Sequence, residues 1–308
     1  MTFTLATFNV KDLLAPTTQV EREVLGPKLA WLARMLKACD GDVVGLQEVG
    51  PPELLQEVLA RLDGAGYGPP VLGTADARGI RCALLSRVPV LAARVHTAAA
   101  LAFPVFREGD PPPFGTRIPL RRGVVHAWVE APGLGPVDVL VAHFKSSRPV
   151  PARDAAGGEL PSNSAHARAE GAVRSQVWRA AEALFVRERV DEVLARDASA
   201  HVAVVGDLND VPDSPVLRVV RGDGAGELLD CADVVDPAAR FSTLHESRRS
   251  QIDHVLCTGA MRARLQDARF LNAELREHAP VHGATQAGDE SVAPTVDSDH
   301  APLVTRFG

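Results

Sequence analysis

The chain has 308 residues, 46% of them hydrophobic and 23% charged, with glycine and proline distributed rather than run together, which excludes a disordered or fibrous chain and suits a folded α/β unit with a sizeable core. A net charge of −6 without any dense Lys/Arg cluster excludes a protein that grips nucleic acid through a broad basic face, so a polyanion must be held locally. No apolar run is long enough to span a bilayer and MTFTLATFNV lacks the features of a secretory signal, so a cytoplasmic protein is expected, although a mature secreted chain would look the same.

In chain order, residues 3 to 9 alternate as a strand and end at Asn9, where strand gives way to loop. Pro27 suits a first helical turn and opens a pattern in which Leu29, Leu32 and Leu36 recur at helical spacing until Asp40-Gly41 ends it. VVGLQEV reads as a buried strand with Glu48 near its C-terminal end, and a second helix from Pro52 is closed by Gly64 to Gly68. Strands fit Cys82 to Ser86 and Val88 to Val95, and the Pro/Gly-rich stretch from Pro104 to Pro119 reads as a loop. Val124 to Glu130 and Val137 to His143 form a hairpin through the turn region at Pro132 to Pro136. An exposed loop at 147 to 164 leads to a long helix from about Ala165 to Arg196. HVAVVGDLND is a buried strand ending in a Gly-Asp-Leu-Asn turn, SQIDHVLCTG is a further strand, Asn272 to Thr295 is irregular, and DSDHAPLVTRF closes the chain as a strand. Cys39, Cys82, Cys231 and Cys257 form no CxxC pair and read as reduced core residues rather than a zinc site. Residues 1–308 are expected to form a single domain.

Polar residues recur where the apolar strands end, the edge at which α/β sheets assemble their sites. Phosphoester hydrolysis needs a cation to neutralise phosphate oxygens, an aligner or base for water, and donors for the charge that develops. A hard cation takes oxygen ligands, so Glu48 is the candidate, with Asn9 lending an amide oxygen or aligning that carboxylate. Taken singly, each residue has a plainer alternative: Glu48 an exposed strand-end acid, Asn9 a turn residue, Asp207 and Asn209 an Asx turn, His143 a hydrogen-bonded core histidine. Asp253 follows Ile252 in an apolar strand and needs a cationic or donor partner, for which His300 is the natural one. Lys145 and Arg148 are candidate phosphate contacts, in competition with a role as solvated charge. Arg168, Arg174 and Arg179 read mainly as a solvated helix face from which one guanidinium could reach the site.

TFNV at Thr7 to Val10, GLQEV at Gly45 to Val49, VAHFKS at Val141 to Ser146, GDLND at Gly206 to Asp210, QIDHVL at Gln251 to Leu256 and SDHAPL at Ser298 to Leu303 follow one another over nearly the whole chain. In this order they resemble the endonuclease/exonuclease/phosphatase superfamily, which includes DNase I-like nucleases, exonuclease III-like repair enzymes, sphingomyelinases and inositol polyphosphate 5-phosphatases. AHFKSS, its loop and the Arg-rich helix are most similar to bacterial nuclease-like members. The resemblance implies a DNase I-like four-layer α/β sandwich, two mixed β-sheets packed face to face with helices outside and the site at one edge. It also implies Mg²⁺, or Mn²⁺ or Ca²⁺, bound or positioned by Glu48 and Asn9 with Asp299 as a further ligand. Asp207 would orient and deprotonate water, Asn209 would hold the phosphate or the Asp207 carboxylate, His143 and His300 would donate to phosphate oxygens, and Asp253 would fix the tautomer of His300.

Two departures sharpen the expectation. Lys11 stands where the repair endonucleases carry a carboxylate two residues after the asparagine, with Asp12 next. Their active-site tyrosine has no counterpart, since the only tyrosine is Tyr67 in a Gly-rich turn. A DNase-like arrangement with two histidines is therefore expected over abasic-site repair. The expected activity is in-line hydrolysis of a phosphodiester by a metal-dependent nuclease acting on DNA or RNA. The alternative is a phosphatase or phosphodiesterase for a small molecule or lipid head group, and a non-catalytic scaffold is opposed by the intact acid, base and histidine positions. The partner is nucleic acid or another phosphodiester, and a monomer is expected.

Overall fold

Strands that are apolar on both faces need cover on both sides, and four layers supply it. The computed structural model describes residues 1–62, 64–101, 118–152, 159, 161, 163–245, 247–278 and 295–308. Most of the expected loops at 104–119 and 272–295, and part of that at 147–164, lie outside the described residues.

The first half of the chain gives β1 (Phe3–Leu13), α1 (Gln19–Cys39), β2 (Val43–Val49), α2 (Pro52–Ala60), β3 (Val71–Leu72), β4 (Arg81–Ser86), β5 (Val90–His96), β6 (Val124–Ala131) and β7 (Gly135–His143). The second gives α3 (Ala165–Leu194), β8 (His201–Asp207), α4 (Pro215–Arg221), β9 (Leu228–Asp230), β10 (Thr243–His245), β11 (Arg248–Ser250), β12 (Asp253–Thr258), α5 (Gly259–Arg262), β13 (Leu265–Phe270) and β14 (Leu303–Phe307). One six-stranded sheet runs β13-β14-β1-β2-β4-β3 and the other β5-β6-β7-β8-β12-β9, with β10-β11 a separate ribbon. β1 and β2 pair in parallel, as do β7 and β8, so both sheets are mixed.

Phe3, Leu5, Val43 and Leu84 of the first sheet pack against Val125, Val139, Val141, Val205 and Val255 of the second, and this is the inter-sheet core. The opposite faces carry Phe8, Val44 and Leu46 under α1 and α2, and Leu140, Val204 and Leu256 under α3 and α4. Gly45 permits the close approach of the sheets, because a Cβ there would meet Val205 at 2.7 Å and Val141 at 3.2 Å. The expected four-layer sandwich is the observed fold, and all four cysteines are free and buried in it. Among the described residues no helix is long and apolar enough to cross a membrane.

The first helix starts eight residues before Pro27, the start expected from the proline. Thr18 Oγ1 accepts from Glu21 N at 3.2 Å and Glu21 Oε2 accepts from Thr18 N at 2.8 Å, a capping box strong enough to nucleate the helix and carry Pro27 inside it. The short strands β3, β9, β10 and β11 and helices α4 and α5 have no sequence expectation, because in so few residues a period does not repeat, and β13 has none either.

Candidate active site

Strand parity builds the site. Asn9 continues the inward row Phe3, Leu5, Thr7; His143 continues Val137, Val139, Val141; Asp207 continues Ala203, Val205; and Asp253 begins the row Val255, Cys257. Asp207 is the Cα register partner of both His143 and Asp253, so three adjacent strands deliver their polar ends at one level. Gly206 enables this with φ 147, since a Cβ there would lie 1.9 Å from the Ala142 carbonyl oxygen.

Glu48 has the opposite parity and would face the outer helices. Instead its backbone is left-handed, at φ 62, and this bulge turns the carboxylate inward. Asn9 Nδ2 donates to Glu48 Oε1 at 3.3 Å and to Asp207 Oδ2 at 2.9 Å, while Asn9 Oδ1 accepts from Lys11 N at 2.9 Å. Asn9 thus aligns Glu48 with Asp207 through its amide nitrogen. Asn209 N donates to Asp207 Oδ1 at 2.9 Å and its side chain to the Phe144 carbonyl at 3.1 Å. Ser298, unforeseen as an individual residue, donates to the Asn9 carbonyl at 2.8 Å and accepts from His300 N at 3.0 Å, tying the last motif to the first.

His300 Nδ1 donates to Asp253 Oδ2 at 2.7 Å, and Nε2 lies 3.8 Å from Asp207 Oδ2. Burial works against the charge of His300, yet Asp253 and Asp207 hold its pKa well above the ordinary value, so it is a cation at neutral pH. Burial pushes Asp207 up to about 7, with His300 pulling the other way. Burial, then the Arg122 guanidinium, holds His143 well below its ordinary value. Arg122 Nη1 stands 2.5 Å from Nδ1 and 2.7 Å from Nε2 of this ring, so the one unprotonated ring nitrogen accepts from the guanidinium and the ring is neutral. His143 Nε2 also faces Asp207 Oδ2 at 3.5 Å and Glu48 Oε1 at 3.9 Å. Arg122 had no signal beyond its place just before the strand. Burial and the neighbouring Asp12 carboxylate raise Glu48.

Other expected residues stand differently. Asp299 is ion-paired to Lys11 Nζ at 2.9 Å, so an ammonium occupies the place a cation would take at that carboxylate. Its pKa falls to about 2 because His300 and Lys11 outweigh its burial. Lys145 is buried, and its ammonium donates to Ser146 O at 2.8 Å, Ser146 Oγ at 3.1 Å and Arg148 O at 3.0 Å, closing its own loop. Arg148 is exposed. Arg179 is not a solvated residue of the helix face: it is buried and donates to Asp210 Oδ2 at 3.1 Å and to the Ser146 carbonyl at 3.2 Å.

The donor set suits a hard cation, being rich in carboxylate oxygen. Glu48 and Asp12 present two carboxylates at one end. At the other, ligand atoms of Asp207, Asp253 and His300 lie within 4.8 Å of one another, and buried Asp253 Oδ1 has no hydrogen-bond partner.

A buried carboxylate of raised pKa, held by amides between a charged and a neutral histidine, can align water beside a phosphate and supply donors to it. Fold and site together define a hydrolytic phosphoesterase of the DNase I-like class. A sequence profile of the Endonuclease/Exonuclease/phosphatase family matches residues 6–300, and the chain belongs to that family, whose members depend on divalent metals. No curated protein matches the chain by sequence. Truncated TDP2 of Caenorhabditis elegans superposes with a TM-score of 0.60 at 16% identity, covering 99% of this chain and 97% of that one. A family protein of Bacteroides thetaiotaomicron gives 0.59 at 15% identity, covering 100% and 95%, and the human Nocturnin catalytic domain with bound sulfate gives 0.59 at 15%, covering 100% and 94%. At these identities the likeness is one of fold.

Proposed function

We propose that the protein is a divalent-metal-dependent phosphodiester hydrolase acting on nucleic acid. The observation that carries this is Asp207, its two carboxylate oxygens fixed by Asn9 and Asn209 amides at the meeting edge of the two sheets, with His300 charged beside it. Danio rerio TDP2, solved with a single-strand DNA product, shares the fold at a TM-score of 0.58 and 16% identity, covering 100% of this chain and 99% of that one, which supports nucleic acid as the substrate class.

In this mechanism Asp207 accepts a proton from the attacking water, and its pKa of about 7 matches a base working near neutrality. His300 donates from Nε2 to a phosphate oxygen while Asp253 holds Nδ1 and keeps the ring charged. Neutral His143, braced by Arg122, lines the same side of the site. Asn9 aligns Glu48 with Asp207, Asn209 holds the Asp207 carboxylate, and exposed Arg148 contacts substrate phosphate. Glu48 would hold the cation, Mg²⁺, Mn²⁺ or Ca²⁺, which would supply positive charge against the phosphate and leaving oxygens.

A panel of plasmid DNA, RNA, an inositol phosphate and a phospholipid, each with the three metals, tests the proposal. Hydrolysis of DNA or RNA is expected, lost with chelator and lost in Asp207→Ala or His300→Ala with the fold intact by circular dichroism. Activity confined to the inositol phosphate or phospholipid would overturn the substrate class, and activity surviving excess chelator would overturn the metal.

A further inference from the structure

Away from the catalytic edge, two of the four cysteines meet. Cys231 opens the single 3-10 turn that follows β9, Cys257 lies on β12, and their Sγ atoms stand 3.4 Å apart at the border of the second sheet. Both are fully buried in the inter-sheet core. Cys39 belongs instead to the layer under α1, and among the described residues neither it nor Cys82 contacts a thiol.

The backbone on either side of the pair is held in place. β9 and β12 are in register from Leu228↔Thr258 to Asp230↔Leu256. Asp230 Oδ1 accepts from Ala232 N at 2.9 Å and so caps the turn that carries Cys231, while its Oδ2 bonds Gln251 at 2.8 Å and His254 at 2.9 Å on the other side. A disulfide needs its sulfurs about 2.0 Å apart, so each has roughly 0.7 Å to travel, a movement of side chains rather than of strands. As a dithiol the pair makes only a weak S–H···S contact. As a disulfide it closes a ring over a separation of 26 positions. That ring contains the β10–β11 ribbon, Asp253, and Ser242, whose Oγ accepts from Asp253 N at 3.1 Å.

We propose that Cys231 and Cys257 are a disulfide site, left as thiols in a reducing compartment and closed by a disulfide oxidant such as glutathione disulfide where the chain folds in an oxidising one. One cysteine thiolate attacks glutathione disulfide, forming a mixed disulfide and releasing a glutathione thiolate. The second attacks the protein sulfur of that mixed disulfide and releases the other. Two protein thiols are oxidised, one glutathione disulfide is reduced, and the two cysteine protons end on the released glutathione. Burial holds the Cys231 thiol well above its ordinary pKa, and Cys257 adds to the rise, so the exchange runs while this border of the sheet is open, as it is during folding. The site is independent of the reaction proposed above.

The test is to refold the full chain in glutathione buffers of increasing disulfide fraction, quench in acid, alkylate and map the peptides by mass spectrometry. Of the four cysteines, Cys39 and Cys82 are expected to be alkylated, and Cys231 and Cys257 to be recovered as one cross-linked pair lighter by two hydrogens. The oxidised chain is expected to unfold about 5 °C above the same chain kept in dithiothreitol, the gain for a ring of this length in a chain of this size. Cys257→Val should lose that gain, but the comparison of two redox states of the wild-type chain stands even where the variant does not fold. Four alkylated cysteines at every buffer ratio would overturn the proposal. So would glutathione retained on Cys231 or Cys257, a pairing through Cys39 or Cys82, or a cross-link that lowers the unfolding temperature.

Discussion

His300 keeps its proton because two carboxylates face it, Asp253 at 2.7 Å on Nδ1 and Asp207 at 3.8 Å from Nε2. Removing one of them moves the histidine, not the fold. In Asp253→Asn the amide can still accept from Nδ1, but the negative charge that raises the imidazolium is gone, so His300 loses its proton at lower pH. The alkaline limb of kcat/KM is therefore expected to shift to lower pH, with the rate at neutral pH reduced about 10- to 100-fold, the size typical of a carboxylate behind a working histidine. A pH–rate profile measures this, and an alkaline limb left where it was would remove His300 as the acid. Asp207 gives the opposite limb. Its pKa of about 7 in the metal-free protein means the rate rises as pH climbs toward that value and the base is unmasked.

At the scale of elements, much of this was legible beforehand, and for a stated reason. Long strands repeat their period, so the inward parity of Asn9, His143 and Asp207 follows from counting along TFTLATFN, PVDVLVAH and HVAVVGD. Glu48 breaks the count, and only the bulge reveals which way it points. Ser298 and Arg122 were illegible as to role because their partners are brought to them only by the fold: Ser298 bonds the backbone of Asn9 from the other end of the chain, and Arg122 bonds His143 across a hairpin. Lys145 read only as a cation, because its partners are oxygens of its own loop. His254 on β12 is fully buried and bonds Asp230 Oδ2 of β9 at 2.9 Å and the Asp210 carbonyl at 3.0 Å, so it anchors the GDLND turn from behind. Burial opposes its charge, but Asp230 raises its pKa above the ordinary value. A raised histidine stabilises fully below pH about 6.5 and loses that contribution as pH rises through its folded value. The denaturation midpoint is thus expected to decrease as pH rises above about 6.5 through the raised value, and His254→Ala, which removes the charged partner of buried Asp230, is expected to cost about 3–5 kcal/mol. Urea unfolding at several pH values checks both; a variant with wild-type stability would show the pair to be idle.

For the whole molecule the charge balance decides how a polyanion is held. A net charge of −6 repels DNA or RNA at long range, so attraction must come from a few exposed cations, of which Arg148 is an example. Each phosphate neutralised on a single strand contributes about 0.7 to the slope of log affinity against log salt. A protein with a handful of such contacts is expected to show a slope of magnitude about 2 for an oligonucleotide, far shallower than that of a protein with a basic face. Arg148→Gln should lower that slope by about 0.7 while leaving kcat nearly unchanged, because the side chain lies outside the group of residues around Asp207. Steady-state KM for a fluorescent oligonucleotide across a salt series reads this out. A wild-type slope retained in Arg148→Gln would move the phosphate grip to other cations, and no salt dependence at all would count against a polyanionic substrate, because a long phosphate backbone cannot shed its counterions without leaving that trace.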